Sequence, residues 1–181
     1  MKNLQSIVFG LLTFALLTGA ADAQRRKTTR KPVAKKPVAT KVVVPPLEVR
    51  VAREKVDNQF ANVNKFIDVL GPIALGIEQL DQQAKARPLA RAAADTNEAN
   101  KQKVVEAIRN LKAGLATLES DFRIKPDLKK YLLTIQGITD LAAQSEDSAL
   151  AGKFVAAKEP LRAVAKKLTD TLAALPVSPP Q

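Results

Sequence analysis

The sequence predicts an all-α protein, an up-and-down bundle of four to five antiparallel helices preceded by a disordered basic arm. From residue 47 to residue 176, apolar residues recur at spacings of three and four, the period of a helix with one buried face. The breaks between these apolar stripes are short, so consecutive helices are expected to lie antiparallel to each other. This region also contains no run of residues typical of β-strands and no repeat of solenoid length. We therefore expect one helical domain over residues 47–176.

Residues 1–23 have the pattern of a cleavable export signal. Lys2 supplies a positive charge, and residues 7–17 form a nearly unbroken apolar run. Ala21 and Ala23 then provide the small side chains that precede a signal cleavage point. The apolar run is shorter than the roughly 20 residues that cross a bilayer, which disfavours the alternative of an uncleaved membrane anchor. We expect an exported protein, periplasmic or extracellular after cleavage.

Residues 24–46, called here the basic segment, are rich in Lys, Arg and Pro. The segment holds eight Lys or Arg and no Asp or Glu, whereas residues 47–181 hold 20 bases and 17 acids. It therefore accounts for most of the net charge of +11. Its prolines and its lack of a core predict a disordered, extended chain. The candidate residues for binding an anionic surface are Arg25, Arg26, Lys27, Arg30, Lys31, Lys35, Lys36 and Lys41.

Two interpretations of the basic segment stay open. In the first, it attaches the protein to an anionic envelope polymer or membrane surface by weak, salt-sensitive attraction. In the second, it is a solvated linker that binds nothing. Nucleic acid is disfavoured as a partner, because export places the protein in another compartment and the segment has no aromatic side chain to stack on bases.

Five helices are expected along the body. The first ends at Gly71-Pro72, because glycine favours helix ends and proline favours helix starts. The second weakens at Pro88. The third begins near Asp95 and Glu98, which have the spacing of a capping box. Its apolar stripe is the most regular in the chain: Val104, Ile108, Leu111, Leu115, Leu118 and Phe122.

The last two helices are expected on either side of Ser145. Pro126 is suited to open the fourth helix, and Ser145 is suited to cap the fifth. The apolar stripe of the fifth helix keeps its phase across Pro160, which predicts one kinked helix there. Residues 177–181 are expected to form a short disordered tail.

No pattern in the chain predicts catalysis. The sequence contains no His and no Cys, which removes the imidazole base, the common nucleophile–base pairs and the common ligands of zinc, haem and copper. The closely spaced acids are interpreted as a solvated surface, as caps or as helix-dipole partners, with Lys85 neutralising Asp81. These acids are Glu78 with Asp81, Glu119 with Asp121, and Glu146 with Asp147. We predict no enzyme, no catalytic residue, no cofactor and no metal.

Two functions are consistent with these features. The favoured one is a non-enzymatic exported bundle that serves as a binding or structural module of the cell envelope, with the basic segment as its cationic tether. The alternative is an amphipathic lipid-binding or chaperone-like protein whose helices open onto apolar clients. The helix faces also allow self-association.

Overall fold

The computed structural model of the chain describes residues 44–177, which contain five α-helices and one short 3₁₀ helix and no strand. The predicted all-α fold is confirmed. The predictions for residues 1–43 and 178–181, which include the export signal and most of the basic segment, lie outside the described residues. The elements are α1 Leu47–Ala86, α2 Arg91–Ile124, the 3₁₀ helix Pro126–Tyr131, α3 Leu132–Ile135, α4 Ile138–Leu150 and α5 Lys158–Ala174.

The four longer helices form a ring in which α1 packs on α2 and α5, while α4 packs on α2 and α5. The 3₁₀ helix and α3 lie at the end where α1 starts and where α2 and α5 finish. We call this the proximal end. At the other end, α1 and α2 reach beyond the α4–α5 turn, because Val155 in that turn lies beside Glu78 and α1 continues to Ala86. We call residues 82–96 the hairpin tip.

The core follows the helical period of the sequence. In α1, five buried residues lie seven positions apart: Val49, Val56, Val63, Leu70 and Ile77. The stripe predicted for α2 is confirmed, since all six of its residues are buried or partly buried in the core. The buried residues form two clusters, one toward the proximal end and one beside the α4–α5 turn. Burial of these faces is the main force that holds the helices together.

The predicted break at Gly71-Pro72 is wrong, because α1 continues through it as one helix of 40 residues. An interior proline removes a backbone hydrogen bond and costs about 3 kcal/mol. On either side of it, however, Leu70 and Ile77 are almost completely buried, and each such side chain contributes about 1.5–3 kcal/mol. Burial on both sides of Pro72 outweighs the local cost. Gly71 also allows close approach of α5, since a Cβ there would lie 3.3 Å from Lys158 Nζ.

The single kinked helix predicted across Pro160 is also wrong. Helix α4 ends at Leu150, and Gly152 follows with φ of 74°. Lys153 N donates to the Ser148 carbonyl at 2.9 Å, and Gly152 N donates to the Ala149 carbonyl at 3.0 Å. These two bonds form a Schellman motif, which stops a helix. Pro160 then lies in the first turn of α5, where its missing N–H costs nothing.

Three other expected helix boundaries differ in the structure. Helix α2 begins at Arg91 rather than near Asp95, which lies inside the helix 3.9 Å from Arg91. Ser145 is not a cap but a buried residue of α4 whose hydroxyl donates to the Ala157 carbonyl at 2.7 Å. The predicted fourth helix is divided because Gly137 adopts φ of 86°, a left-handed conformation that interrupts a helix.

Candidate functional site

The sequence-predicted binding residues, Arg25 to Lys41, lie outside the described residues. The described chain begins at Val44, and Pro46 directly precedes the first turn of α1 at the proximal end. The basic segment therefore joins the body at this end. The geometry of the proximal end determines what the body itself presents there.

Arg53 ties the start of α1 to the end of α5. Its Nη1 donates to the carbonyl of Leu172 at 2.6 Å and to that of Leu175 at 2.7 Å. The last carbonyls of a helix have no partner within the helix, and they carry its negative dipole end. A guanidinium supplies hydrogen-bond donors to these carbonyls and a positive charge beside the negative dipole end. Arg53 therefore acts as a C-terminal cap of α5 from a neighbouring helix.

Asp121 joins α1 to α2 at the same end. Its carboxylate lies 2.7 Å from Lys55 Nζ and 3.3 Å from Lys125 Nζ. The hydrogen bond from Lys55 is the largest cause that lowers the pKa of Asp121, and Lys125 lowers it further. The carboxylate is therefore ionised at neutral pH and bound to two cations.

Glu119 holds the start of α4 and is only 6% exposed. Its carboxylate accepts hydrogen bonds from Gly137 N at 2.9 Å, from Thr139 N at 3.1 Å and from Thr139 Oγ1 at 2.8 Å. Arg123 donates a fourth, at 2.8 Å. Burial acts to raise the pKa of Glu119, but these four hydrogen bonds together bring it below its usual value. Glu119 is thus an N-terminal cap of α4 supplied by α2.

Glu146 links α4 to α2 near the middle of the bundle. It is buried and binds Arg109, at 2.5 Å, and Lys112. The hydrogen bond from Lys112 is the largest cause that lowers the pKa of Glu146, followed by that from Arg109. The interpretation as solvated surface is wrong for Glu119 and Glu146, because both are buried. The interpretation as a cap is right for Glu119, although the helix it caps is α4 and not its own. The role of Glu146 in the first turn of a helix is wrong, because it lies in the interior of α4.

Sequence reasoning missed these two acids because their partners lie far along the chain. The donors to Glu119 include residues 137 and 139, and those to Glu146 are residues 109 and 112. One signal is present for Glu119, which directly follows the stripe residue Leu118 and therefore flanks the buried face of α2. A similar signal is present for Glu146, which lies four residues after Ala142 and therefore continues the buried face of α4.

Two open clefts lie on either side of Gly152 in the α4–α5 turn. One, of about 380 Å³, is lined by charged and apolar residues of α2 and α4; the other, of about 540 Å³, lies against α1. The acids on the α1 side are already bound. Glu78 accepts from Val155 N at 2.8 Å, and Asp81 contacts Lys101 Nζ at 2.7 Å and Asn97 Nδ2 at 2.8 Å.

The prediction that Lys85 neutralises Asp81 is wrong, because the cation that pairs with Asp81 is Lys101 of α2. Within residues 44–177, no group of three or more acids has a metal-binding arrangement. The carboxylates of the cleft against α1 thus join α1 to α2 and to the α4–α5 turn, and nothing in either cleft identifies a ligand.

No family model, curated protein or solved structure matches this chain. Its function is therefore argued from its own residues. Among the described helices, α1 is long and apolar enough to cross a membrane by length and composition alone, a test that core helices of soluble proteins also pass. In this structure, seven residues of α1 are buried in the bundle.

Proposed function

We propose that this chain is an exported, non-enzymatic helical-bundle protein that acts as a binding or structural module of the cell envelope. One observation carries the proposal: eight bases without an acid precede a body whose own charges nearly cancel. Near an anionic lipid surface, each base contributes up to about 1 kcal/mol, so the segment supplies several kcal/mol of salt-sensitive attraction. The basic segment is the tether in this proposal, and the bundle is the module that it holds at the surface.

The environment of the acids whose pKa values are lowered supports a non-enzymatic role. A general acid or base works best when its pKa lies near the working pH. The pKa values of Glu119, Asp121 and Glu146 are all lowered, and each carboxylate is bound to groups of neighbouring segments. These three acids contribute to the packing of the bundle, and their ionised state suits that role.

The test is co-sedimentation of the chain 24–181 with envelope fractions of the source cell and with anionic vesicles. A variant with all eight bases of the segment replaced by Gln keeps the length and the prolines but loses the charge. A second variant with the segment scrambled keeps the charge. We expect the scrambled variant to bind and the Gln variant to lose binding. Equal binding by both variants would refute the tether.

Salt provides an independent check of the electrostatic origin. Raising the ionic strength from about 0.1 M to about 1 M shortens the Debye length from about 10 Å to about 3 Å. Binding by the tether should then disappear. The export step is tested separately by sequencing the N-terminus of the protein recovered outside the cytoplasm, where Gln24 is the expected first residue.

A second candidate function follows from the apolar character of α1. Besides its buried face, this helix exposes Val69, Ile73 and Leu75 near its middle. An amphipathic lipid-binding or chaperone-like protein opens such a helix onto an apolar client. Vesicle binding by the chain from Leu47 onward, with loss of the near-UV signal of the single tyrosine, Tyr131, would favour this function over the tether.

A further inference from the structure

Large apolar side chains remain exposed at the proximal end, as they also do in the middle of α1 and at the end of α4. Ten such residues occur in the described part of the chain, and six of them belong to the segments of this end. The six are Val44, Leu47, Val51, Ile124, Leu133 and Val177. Val44 and Val177 adjoin the limits of the described residues and are set aside. The remaining four lie in α1, α2 and α3.

The hairpin tip provides the internal comparison. It is also an end of the bundle and its residues are almost all exposed, but it has only one large apolar residue, Leu89, which is partly buried. The tip therefore offers no apolar surface of this kind. Isolated surface apolar residues are common and need no explanation, but several at one end indicate an interaction site. Leu133 is 76% exposed and Ile124 is 65% exposed, so both are available to a partner.

Cationic and aromatic groups accompany these apolar side chains. Lys129 and Lys130 are exposed on the 3₁₀ helix between Ile124 and Leu133, and Lys130 Nζ lies 4.9 Å from the centre of the Tyr131 ring. Tyrosine and lysine next to apolar residues are typical of the boundary between lipid headgroups and acyl chains. The chain also continues from this end into the eight bases of the basic segment.

Exposed acids at the same end limit the charge of the body itself. Glu48 and Asp127 are exposed there and offset Lys129 and Lys130. The long-range attraction must therefore come from the basic segment, while the body contributes apolar contact at short range. The cationic basic segment and the apolar contact together satisfy the general requirement that stable membrane attachment needs two weak interactions.

We infer that the proximal end is the face of the bundle that docks on an anionic lipid bilayer, with Ile124 and Leu133 entering the interface. This inference rests on the proposed function, because the basic segment provides the first attraction. An anionic polymer would pair with the cations but would leave the apolar side chains in water. A second copy of the chain would cover the apolar side chains but would bring two basic segments of like charge together. A bilayer satisfies both features, and it orients the hairpin tip away from the surface.

The chain contains no tryptophan, so a single introduced Trp reports on its own position. The test variants are Leu133→Trp and Ile124→Trp in the chain 24–181. The controls are Leu75→Trp and Leu150→Trp, whose native side chains are 53% and 58% exposed away from the proximal end. Each variant is mixed with phosphatidylglycerol–phosphatidylcholine vesicles that contain bromine-labelled acyl chains. We expect a blue shift and quenching at positions 124 and 133 and neither at positions 75 and 150.

A second measurement does not depend on Trp. The double variant Leu133→Ser with Ile124→Ser should bind these vesicles at least about tenfold more weakly, because two aliphatic side chains no longer move from water into the bilayer. The double variant Leu75→Ser with Leu150→Ser should bind as the unchanged chain does. All four sites are exposed, so urea unfolding should show matched stabilities before binding is compared.

Several results would overturn the inference. If the unchanged chain binds but positions 124 and 133 show no quenching, the tether remains and the docking face is wrong. Quenching at all four positions would mean that the bundle opens on lipid instead. A spectral shift at positions 124 and 133 that grows with protein concentration without vesicles would assign the face to a second copy. Absence of vesicle binding by the unchanged chain would overturn the inference, while the envelope co-sedimentation would still decide the proposed function.

Discussion

Replacing Glu119 with Gln should destabilise the bundle by about 2–3 kcal/mol at pH 7. The amide has one acceptor oxygen where the carboxylate has two, so either Gly137 N or Thr139 N must face an NH₂ group. Loss of a hydrogen bond to a charged group costs about 1.5–3 kcal/mol, and loss of the negative charge at the start of α4 adds about 0.3–1 kcal/mol. Because Glu119 is nearly buried, solvent does not screen these contacts.

The contribution of Arg123 to this cost should be small. Its side chain is 64% exposed and pairs with Glu119 four residues earlier on the same helix, a type of pair that contributes about 0.3–0.5 kcal/mol. Arg123→Ala is therefore expected to cost about 0.5 kcal/mol or less. The cap of α4, not the surface ion pair, is the source of the effect.

The assay is urea unfolding monitored by far-UV circular dichroism. Stabilities are compared only between variants that have the same slope of unfolding free energy against urea concentration. The matched control is Glu106→Gln, an exposed glutamate of the same helix, which should change the free energy of unfolding by less than about 0.5 kcal/mol. A Glu119→Gln variant as stable as this control would refute the role of Glu119 as the cap of α4.

The pH dependence of the same pair of proteins gives a second check. The pKa of Glu119 is lower in the folded state than its usual value of 4.5, so its stabilising effect is fully present above that value. It is lost as the pH falls through the folded-state pKa. The difference in stability between the unchanged chain and Glu119→Gln should therefore shrink below pH 4.5. A difference that stays constant down to pH 2 would contradict the assignment.

Three further predictions use the same unfolding measurements or hydrogen exchange. Ser145→Ala should cost about 1–2 kcal/mol because it removes the buried hydrogen bond to the Ala157 carbonyl, whereas Ser148→Ala, which removes an exposed hydrogen bond to Gln144, should cost less than about 0.5 kcal/mol. Gly152→Ala should cost about 1–2 kcal/mol from its positive φ, while Gly76→Ala, with open space at the Cβ of a helical residue, should stabilise by up to about 1 kcal/mol. Amides in the first two turns of α2 should exchange faster than those near its middle, because the hairpin tip has few buried contacts.

The fold class could be predicted because it depends on a pattern that each segment carries by itself. The stripe of α2 has the three-and-four spacing of a buried helix face, and its six residues lie in the core as expected. The up-and-down arrangement was expected from the short breaks between stripes, although one of those breaks, Gly71-Pro72, lies inside α1. Neither prediction required knowledge of which residues meet across the bundle.

The buried acids could not be predicted in the same way. Glu119 is buried because Gly137 interrupts the chain and presents free backbone donors opposite α2. Glu146 is buried because Arg109 and Lys112 lie opposite it on α2. In both cases, the deciding partner becomes a neighbour only after the bundle has formed. Two acids that are close in sequence therefore say little about whether either side chain is buried or which residues it contacts.

The two prolines show why the phase of an apolar stripe does not by itself place a helix boundary. The stripe continues across both Pro72 and Pro160, yet α1 continues through Pro72 and α4 ends before Pro160. The difference lies in the preceding glycine. Gly152 has a positive φ and closes a Schellman motif, so α4 ends ten residues before Pro160 and that proline lies in the first turn of α5. Gly71 keeps the helical backbone, and the buried residues on both sides of Pro72 preserve α1. A helix therefore stops where the backbone can satisfy its last carbonyls, and a proline marks that place only when such a motif precedes it.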